Sequence, residues 1–328
     1  MRTCFAIAAA LLCVAAGAPG AAAADCSATG GGLGVSRVVR IDASRAPVYG
    51  SITRLPQAAA FLRPREVVLT FDDGPHPTIT RSVLATLDAF CTKATFFPVG
   101  RVAVQFPNLV AETVRRGHTV GSHTWSHPLN VGSLTFPRAT DELERGFTAV
   151  ALAARVPIAP FFRFPGLNDS PLLLAHMQSR GVAVFSVDVV SDDSFTADPD
   201  VLVRNTIRRL EARGRGILLF HDIKSSTARA LPKILAALKA KGYRVVHLAP
   251  ARSFQPLPSY WRPMARVMAR RAPASGKAGA LVAAMARVRP DSGASTALGR
   301  DSVGVWSTHV RQSGRRPPRR PRLADDPS

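Results

Sequence analysis

The chain has 328 residues, 46% of them hydrophobic, enough for one sizeable core or at most two smaller domains. Its formal net charge is +21, but residues 251–328 hold 15 Lys/Arg against 4 Asp/Glu, while residues 25–250 hold 27 against 18. The extreme basicity therefore belongs largely to the tail; aromatics are sparse there and no nucleic-acid motif appears, which argues against a specific nucleic-acid partner.

Residues 1–24 read as a signal peptide, with Arg2, an apolar run at 5–16 and the small residues Ala22–Ala24 before Asp25. The run falls short of the ~20 residues that span a bilayer. Gly17, Pro19 and Gly20 interrupt it as well, so no stable membrane span is expected after cleavage and the protein is expected to be exported, periplasmic or secreted. Cys26 and Cys91 remain in the mature chain, and export permits a disulfide between them or two free thiols.

Residues 25–64, rich in Gly, Ser, Pro and Ala, read as an irregular N-terminal extension. From residue 66 short β-branched or aromatic runs alternate with longer amphipathic stretches. Strands are expected at 67–71, 94–99, 118–122, 161–163, 182–187, 216–220 and 244–247. Helices are expected near 79–90, 107–116, 137–154, 171–180, 199–213 and 229–241. Pro107, Pro137, Pro171 and Pro199 stand at helix starts, where a missing N–H is harmless; Gly117, Gly181, Gly214 and Gly242 stand where C-terminal caps belong. This alternation predicts a parallel α/β architecture over 65–250, though periodicity does not separate a closed barrel from an open sheet. Residues 251–328 read as a basic, largely disordered tail with a short helix at 278–287, a solvated arm that can contact anionic surfaces.

Polar clusters fall at the C-terminal ends of successive strands. Asp72-Asp73-Gly74-Pro75 places two adjacent carboxylates after an apolar strand, which is costly without a cation to neutralise them. His123 and His127, at i and i+4, face one centre if their segment makes a helical turn; one aspartate and two imidazoles with open water positions suit a divalent ion, zinc above all. Arg163 ends the next strand, Asp188, Asp192 and Asp193 follow another, and His221-Asp222 closes a fifth. In a parallel barrel those ends converge on one rim, where active sites form.

With TFDDGP at 70–75 and HTWSH at 123–127 in this order, residues 65–248 resemble the polysaccharide deacetylase family, carbohydrate esterase family four, also called the NodB homology domain. The resemblance implies a distorted parallel (β/α) barrel of about seven strands and a metal-dependent enzyme that removes N-acetyl groups from a hexosamine polysaccharide such as peptidoglycan, a chitin-like oligomer or an exopolysaccharide. By the same resemblance Asp73, His123 and His127 hold the metal and Asp72 is the general base, kept ionised by Arg163. His221 is the general acid, tuned by an aspartate of the fourth motif, best matched by Asp193. Gly166 offers a backbone N–H to the oxyanion, and Leu219 lines the acetyl pocket. Two positions depart from the family pattern. Phe164-Pro165-Gly166 stands where Pro-Pro-Tyr is usual, and Ser194 replaces a tryptophan after Asp193. O-acetyl esterase action and a non-catalytic carbohydrate-binding role on the same fold are the alternatives.

Overall fold

The computed structural model of the chain describes residues 32–52 and 60–271. The leader at 1–24, Cys26, and everything beyond residue 271, including the helix expected at 278–287, lie outside the described residues. Cys91 is disulfide-bonded, and its partner lies outside them too. No helix among the described residues is long and apolar enough to cross a membrane.

Ten strands alternate with eight α-helices among the described residues. The strands are β1 (Arg37–Ile41), β2 (Val48–Tyr49), β3 (Glu66–Asp72), β4 (Thr95–Phe97), β5 (Thr119–Val120), β6 (Phe161–Phe162), β7 (Ala183–Phe185), β8 (Val189–Val190), β9 (Gly216–His221) and β10 (Arg244–Pro250). The helices are α1 (Ile79–Ala89), α2 (Gly100–Gln105), α3 (Pro107–Arg115), α4 (Phe136–Ala154), α5 (Pro171–Ser179), α6 (Pro199–Arg213), α7 (Ser225–Ala240) and α8 (Pro258–Arg271). Pro107, Pro137, Pro171 and Pro199 all lie in the first two positions of their helices. Gly117, Gly181, Gly214 and Gly242 all take positive φ at the helix ends.

Every strand pairing is parallel, and together they form a distorted (β/α) barrel. β3 pairs β4 and β10 on one side and β9 on the other. β4 pairs β5, a bridge from Ser122 to Phe162 links β5 to β6, and β6 pairs β7. The chain then bends at Ser186–Asp188 and restarts as β8, which pairs β9 and completes the circuit.

Alternation along the strands sorts side chains between two cores. On β3, Val67, Leu69 and Phe71 face outward under the helices, in a cluster with Val83, Leu84, Leu87, Phe96 and Phe220. Val68 faces inward, among Phe97, Phe161, Phe185 and Ile217. Phe185 is the hub of this plug, with ring centroids 4.9 Å from Phe161, 5.1 Å from Tyr49 and 6.1 Å from Phe97. An apolar plug thus fills the middle of the barrel beneath the polar side chains of the C-terminal rim.

Two expectations are corrected. Residues 25–64 are not all irregular: β1 pairs β10, β2 pairs β7, and Ile41, Ala43, Tyr49 and Leu62 fill the inner core. β2 is only two residues long, and β1, RVVRI, is a β-branched run obscured by the Gly-, Ser- and Pro-rich segments around it. Nor does the fold end near residue 250. α8 buries Met264, Ala265 and Met268 in the outer core, and Phe254 stacks on Phe147 at 4.0 Å.

Candidate metal centre and active site

Asp72 is the last inward residue of β3, and the chain leaves the strand through Asp73, held at φ 74, and a cis Gly74–Pro75 bond. Positive φ at a non-glycine residue is strained and concentrates at functional sites. The turn swings the Asp73 carboxylate over the rim. Asp73 Oδ1 lies 3.5 Å from His123 Nε2 and 3.2 Å from His127 Nε2.

The two histidines do not converge through a helical turn. Residues 123–127 form an irregular loop in which Thr124 (φ 64) and His127 (φ 65) are left-handed. His123 is buried, and its Nδ1 meets the Arg163 carbonyl at 2.7 Å, which fixes the proton there and leaves Nε2 as a lone-pair donor. Burial, against the pull of Asp73, drives the His123 imidazole down to about 3, the neutral form that a metal requires.

The donor set fits a cation. One ligand atom each from Asp73, His123 and His127 lies within 4.8 Å of the others. Asp73 Oδ1 is buried with no hydrogen-bond partner, an arrangement that a protein avoids unless something else satisfies the oxygen.

Arg163 follows β6 and enters the barrel completely buried. Its Nη1 donates to Asp72 Oδ1 and to Thr70 Oγ1, both at 2.8 Å. Its Nε donates to the Phe185 carbonyl at 3.0 Å, and its Nη2 to the Ser186 carbonyl at 3.2 Å. The guanidinium also lies over the Phe97 ring, 4.6 Å from the centroid. Burial pushes the Asp72 carboxyl up, and the Arg163 charge opposes it. The ion pair sits on the apolar plug, out of water, with the second carboxylate oxygen turned toward His123 Nε2 at 3.8 Å.

His221 ends β9 on the inward register, opposite Asp72, and its Nε2 lies 3.9 Å from Asp73 Oδ2. Asp193 grips it twice: Oδ1 meets His221 Nδ1 at 2.7 Å, and Oδ2 accepts the His221 N–H at 2.6 Å. Thr227 Oγ1 donates to the same Oδ2 at 2.6 Å. Burial works against a charged imidazole here, but the bond and charge of Asp193, with Asp72 and Asp73 behind, raise His221 to about 9.

Of the three aspartates after β7, only Asp193 thus reaches His221. Asp192 pairs with Arg209. Asp188 is not at the rim: it accepts the Ser51 N–H and the Ile217 N–H, each at 2.9 Å, near the start of β9. The restart of the strand as β8 drops Asp188 to the floor, which a single run over 182–187 does not reveal.

Leu219 occupies the inward position one layer beneath His221, paired with Thr70 and nearly buried. Gly166, exposed and at φ 61, forms a short turn with Pro165 and Leu167. A Cβ there would lie 3.5 Å from the Leu129 side chain on the loop after His127. The helix near Pro171 is capped by Ser170, whose hydroxyl accepts from Leu173 N–H, while Asn168 donates to the Leu129 carbonyl at 3.1 Å.

Two further residues shape the site: Asp222, which sequence reasoning places at a strand end without a role, and Glu142, which it misses. Asp222, buried and raised to about 7 chiefly by burial, bonds Thr80 at 2.5 Å beneath Gly74, where a Cβ would meet its Oδ2 at 2.2 Å. Glu142, in the middle of α4, holds Ser126 of the ligand loop. An acidic residue on an amphipathic helix reads as a solvated face, so no local signal marks Glu142.

A parallel barrel whose rim carries an Asp-His-His cluster able to hold a metal ion, a buried Asp–Arg pair and an Asp–His pair has the architecture of a hydrolase. The profile of the polysaccharide deacetylase family matches residues 62–185. The peptidoglycan-N-acetylglucosamine deacetylase of Bacillus cereus is 31% identical over 185 residues, covering 55% of this chain and 84% of that one. The corresponding deacetylase PgdA of Listeria monocytogenes is 30% identical over 199 residues, and this chain spans only 41% of its length. Among solved structures, a peptidoglycan deacetylase of Bdellovibrio bacteriovorus superposes with a TM-score of 0.58 at 32% identity, covering 66% of this chain and 59% of that one. The chain belongs to the polysaccharide deacetylase family.

Proposed function

We propose that this protein is an exported, zinc-dependent hydrolase that removes N-acetyl groups from a hexosamine polysaccharide, with peptidoglycan the favoured substrate. One observation carries the reading: the Asp73-His123-His127 cluster stands between a buried Asp72–Arg163 pair and a doubly held His221–Asp193 pair. The names of the relatives support the substrate class.

A divalent cation held by Asp73, His123 and His127 would supply Lewis acidity, polarising the amide carbonyl and lowering the pKa of water. The protein's groups then divide the proton work. Asp72, fixed by Arg163 through Oδ1, takes a proton from the attacking water. The carbonyl oxygen gains negative charge, and the Gly166 N–H helps to stabilise it. His221 Nε2, with Nδ1 held by Asp193, gives a proton to the departing amine nitrogen as the C–N bond breaks. Acetate and a free amino sugar result. Leu219 bounds the space for the acetyl methyl, and the loss of the family's tyrosine and tryptophan at Gly166 and Ser194 alters the sugar-facing wall.

O-acetyl esterase action on the same machinery is the alternative. Acetate release by residues 25–328 from peptidoglycan, chitooligosaccharide and acetyl-xylan decides between them, with zinc, after chelation, and in Asp73→Ala. Zinc-dependent release from peptidoglycan that is lost in D73A is expected. Release from acetyl-xylan alone transfers the reading to the esterase. No release from a folded, zinc-loaded protein overturns catalysis in favour of carbohydrate binding.

A further inference from the structure

The ligand loop His123–His127 has no regular secondary structure, and two of its five residues are non-glycines in the left-handed region. Such a conformation persists only where its surroundings over-determine it. Most of the restraint on Thr124–Ser126 comes from two helices. At the N-terminus of α2, Gly100 N–H donates to the Thr124 carbonyl and Arg101 N–H to the Trp125 carbonyl, both at 2.9 Å. From α4, Glu142 supplies three more: its carbonyl accepts the Trp125 N–H at 2.8 Å, its Oε2 the Ser126 N–H at 2.8 Å, and its Oε1 the Ser126 hydroxyl at 2.8 Å. At the ends of the loop, the His123 N–H donates to the Pro98 carbonyl and the His127 N–H to Thr124 Oγ1, both at 3.1 Å.

We infer that Glu142 is a positioning residue for the metal centre, clamping Ser126 so that His127 is presented to the cation. The inference rests on the metal reading proposed above. Glu142 forms no ion pair among the described residues, so both carboxylate oxygens serve this loop alone. Hydrogen bonds to an ionised acceptor are the strong kind. One turn along α4, Gly146 brings the helix against the loop: a Cβ there would lie 2.5 Å from the Thr124 carbonyl carbon. Ser126 immediately precedes His127. His123, by contrast, has its own anchor on the Arg163 carbonyl at 2.7 Å. Loss of Glu142 therefore loosens His127 selectively, leaving its N–H the local bond to Thr124 Oγ1 at 3.1 Å, while Asp73 and His123 keep their places.

The test measures the zinc dissociation constant by chelator competition, and the visible spectrum of the cobalt(II)-substituted protein, in wild type, Glu142→Ala, Glu142→Gln, His127→Ala and Asp73→Ala. Partners that orient metal ligands are typically worth about 10–100-fold in affinity. Glu142→Ala is expected to weaken zinc by that factor and to alter the cobalt spectrum in the direction of His127→Ala. Glu142→Gln, which keeps one acceptor oxygen, falls between, and carries the measurement if the alanine variant does not fold. A merely structural glutamate would lower the apo melting temperature and leave the zinc constant and spectrum unchanged. Wild-type affinity in both Glu142 variants, beside weakened His127→Ala, overturns the inference. Wild-type affinity in Asp73→Ala overturns the metal centre itself.

Discussion

Arg163 and Asp72 meet inside the barrel with Nη1 2.8 Å from Oδ1, and neither side chain has more than 3% of its surface exposed. The pair lies between the apolar plug and the Asp73-His123-His127 cluster, so it joins the core of the fold to the rim. Removing one member of a buried ion pair leaves the other charge uncompensated, which typically costs about 3–5 kcal/mol. Arg163→Met is therefore expected to lower the melting temperature and to abolish acetate release. Arg163→Lys cannot reproduce the four donor contacts and is expected to lose most activity as well. Thermal melts beside the acetate assay check both.

Asp73 predicts an unusual balance between stability and binding. Its Oδ1 is buried and unpartnered, and its backbone is left-handed. Metal-free Asp73→Gly is expected to be at least as stable as the metal-free wild type, because both liabilities vanish. Zinc at 100 times its dissociation constant stabilises a protein by about 2.7 kcal/mol, so it should raise the wild-type melting temperature and leave the variant unmoved. Melts with and without zinc make the comparison.

Gly146 has no room for a side chain, because the Thr124 backbone stands where a Cβ would go. Gly146→Ala must push α4 and the ligand loop apart. Overpacking of this sort costs about 1–3 kcal/mol. A lower melting temperature together with weaker zinc binding is expected; an unchanged protein would show that the loop yields freely.

Glu66 ties β1 to the barrel through Arg37, at 2.8 Å and 2.6 Å. The Arg37 bond, against burial, lowers the Glu66 carboxyl from 4.5 to about 2. A depressed folded-state pKa contributes stability that is fully present above about 4.5 and is lost as pH falls toward about 2. The contribution is on the order of 3 kcal/mol. Glu66→Gln is expected to flatten that part of the acid limb in denaturant titrations at pH 2.5–6, with the difference from wild type greatest at the upper end.

The sequence by itself determined the repeating unit and the chemistry set. Proline at helix starts, glycine at helix ends and β-branched runs between them are local signals, and they sufficed for seven strands and six helices. Asp72, Asp73, His123, His127, Arg163 and His221 were legible because motif spacing and strand-end placement are written along the chain. What depends on contacts between distant segments was not. The strands β1 and β2 are held by partners some two hundred and about 136 residues away, and only β2, of two residues, is too short to announce itself. Asp193 is the best match by motif, but the physical reason it and not Asp188 meets His221 is a bend that moves one aspartate to the floor and leaves the other at the rim. The ligand loop takes its shape from Glu142 and the start of α2, not from a helical turn of its own. Only the tertiary structure decided these points, because an irregular loop has no periodicity and its conformation is imposed by what surrounds it.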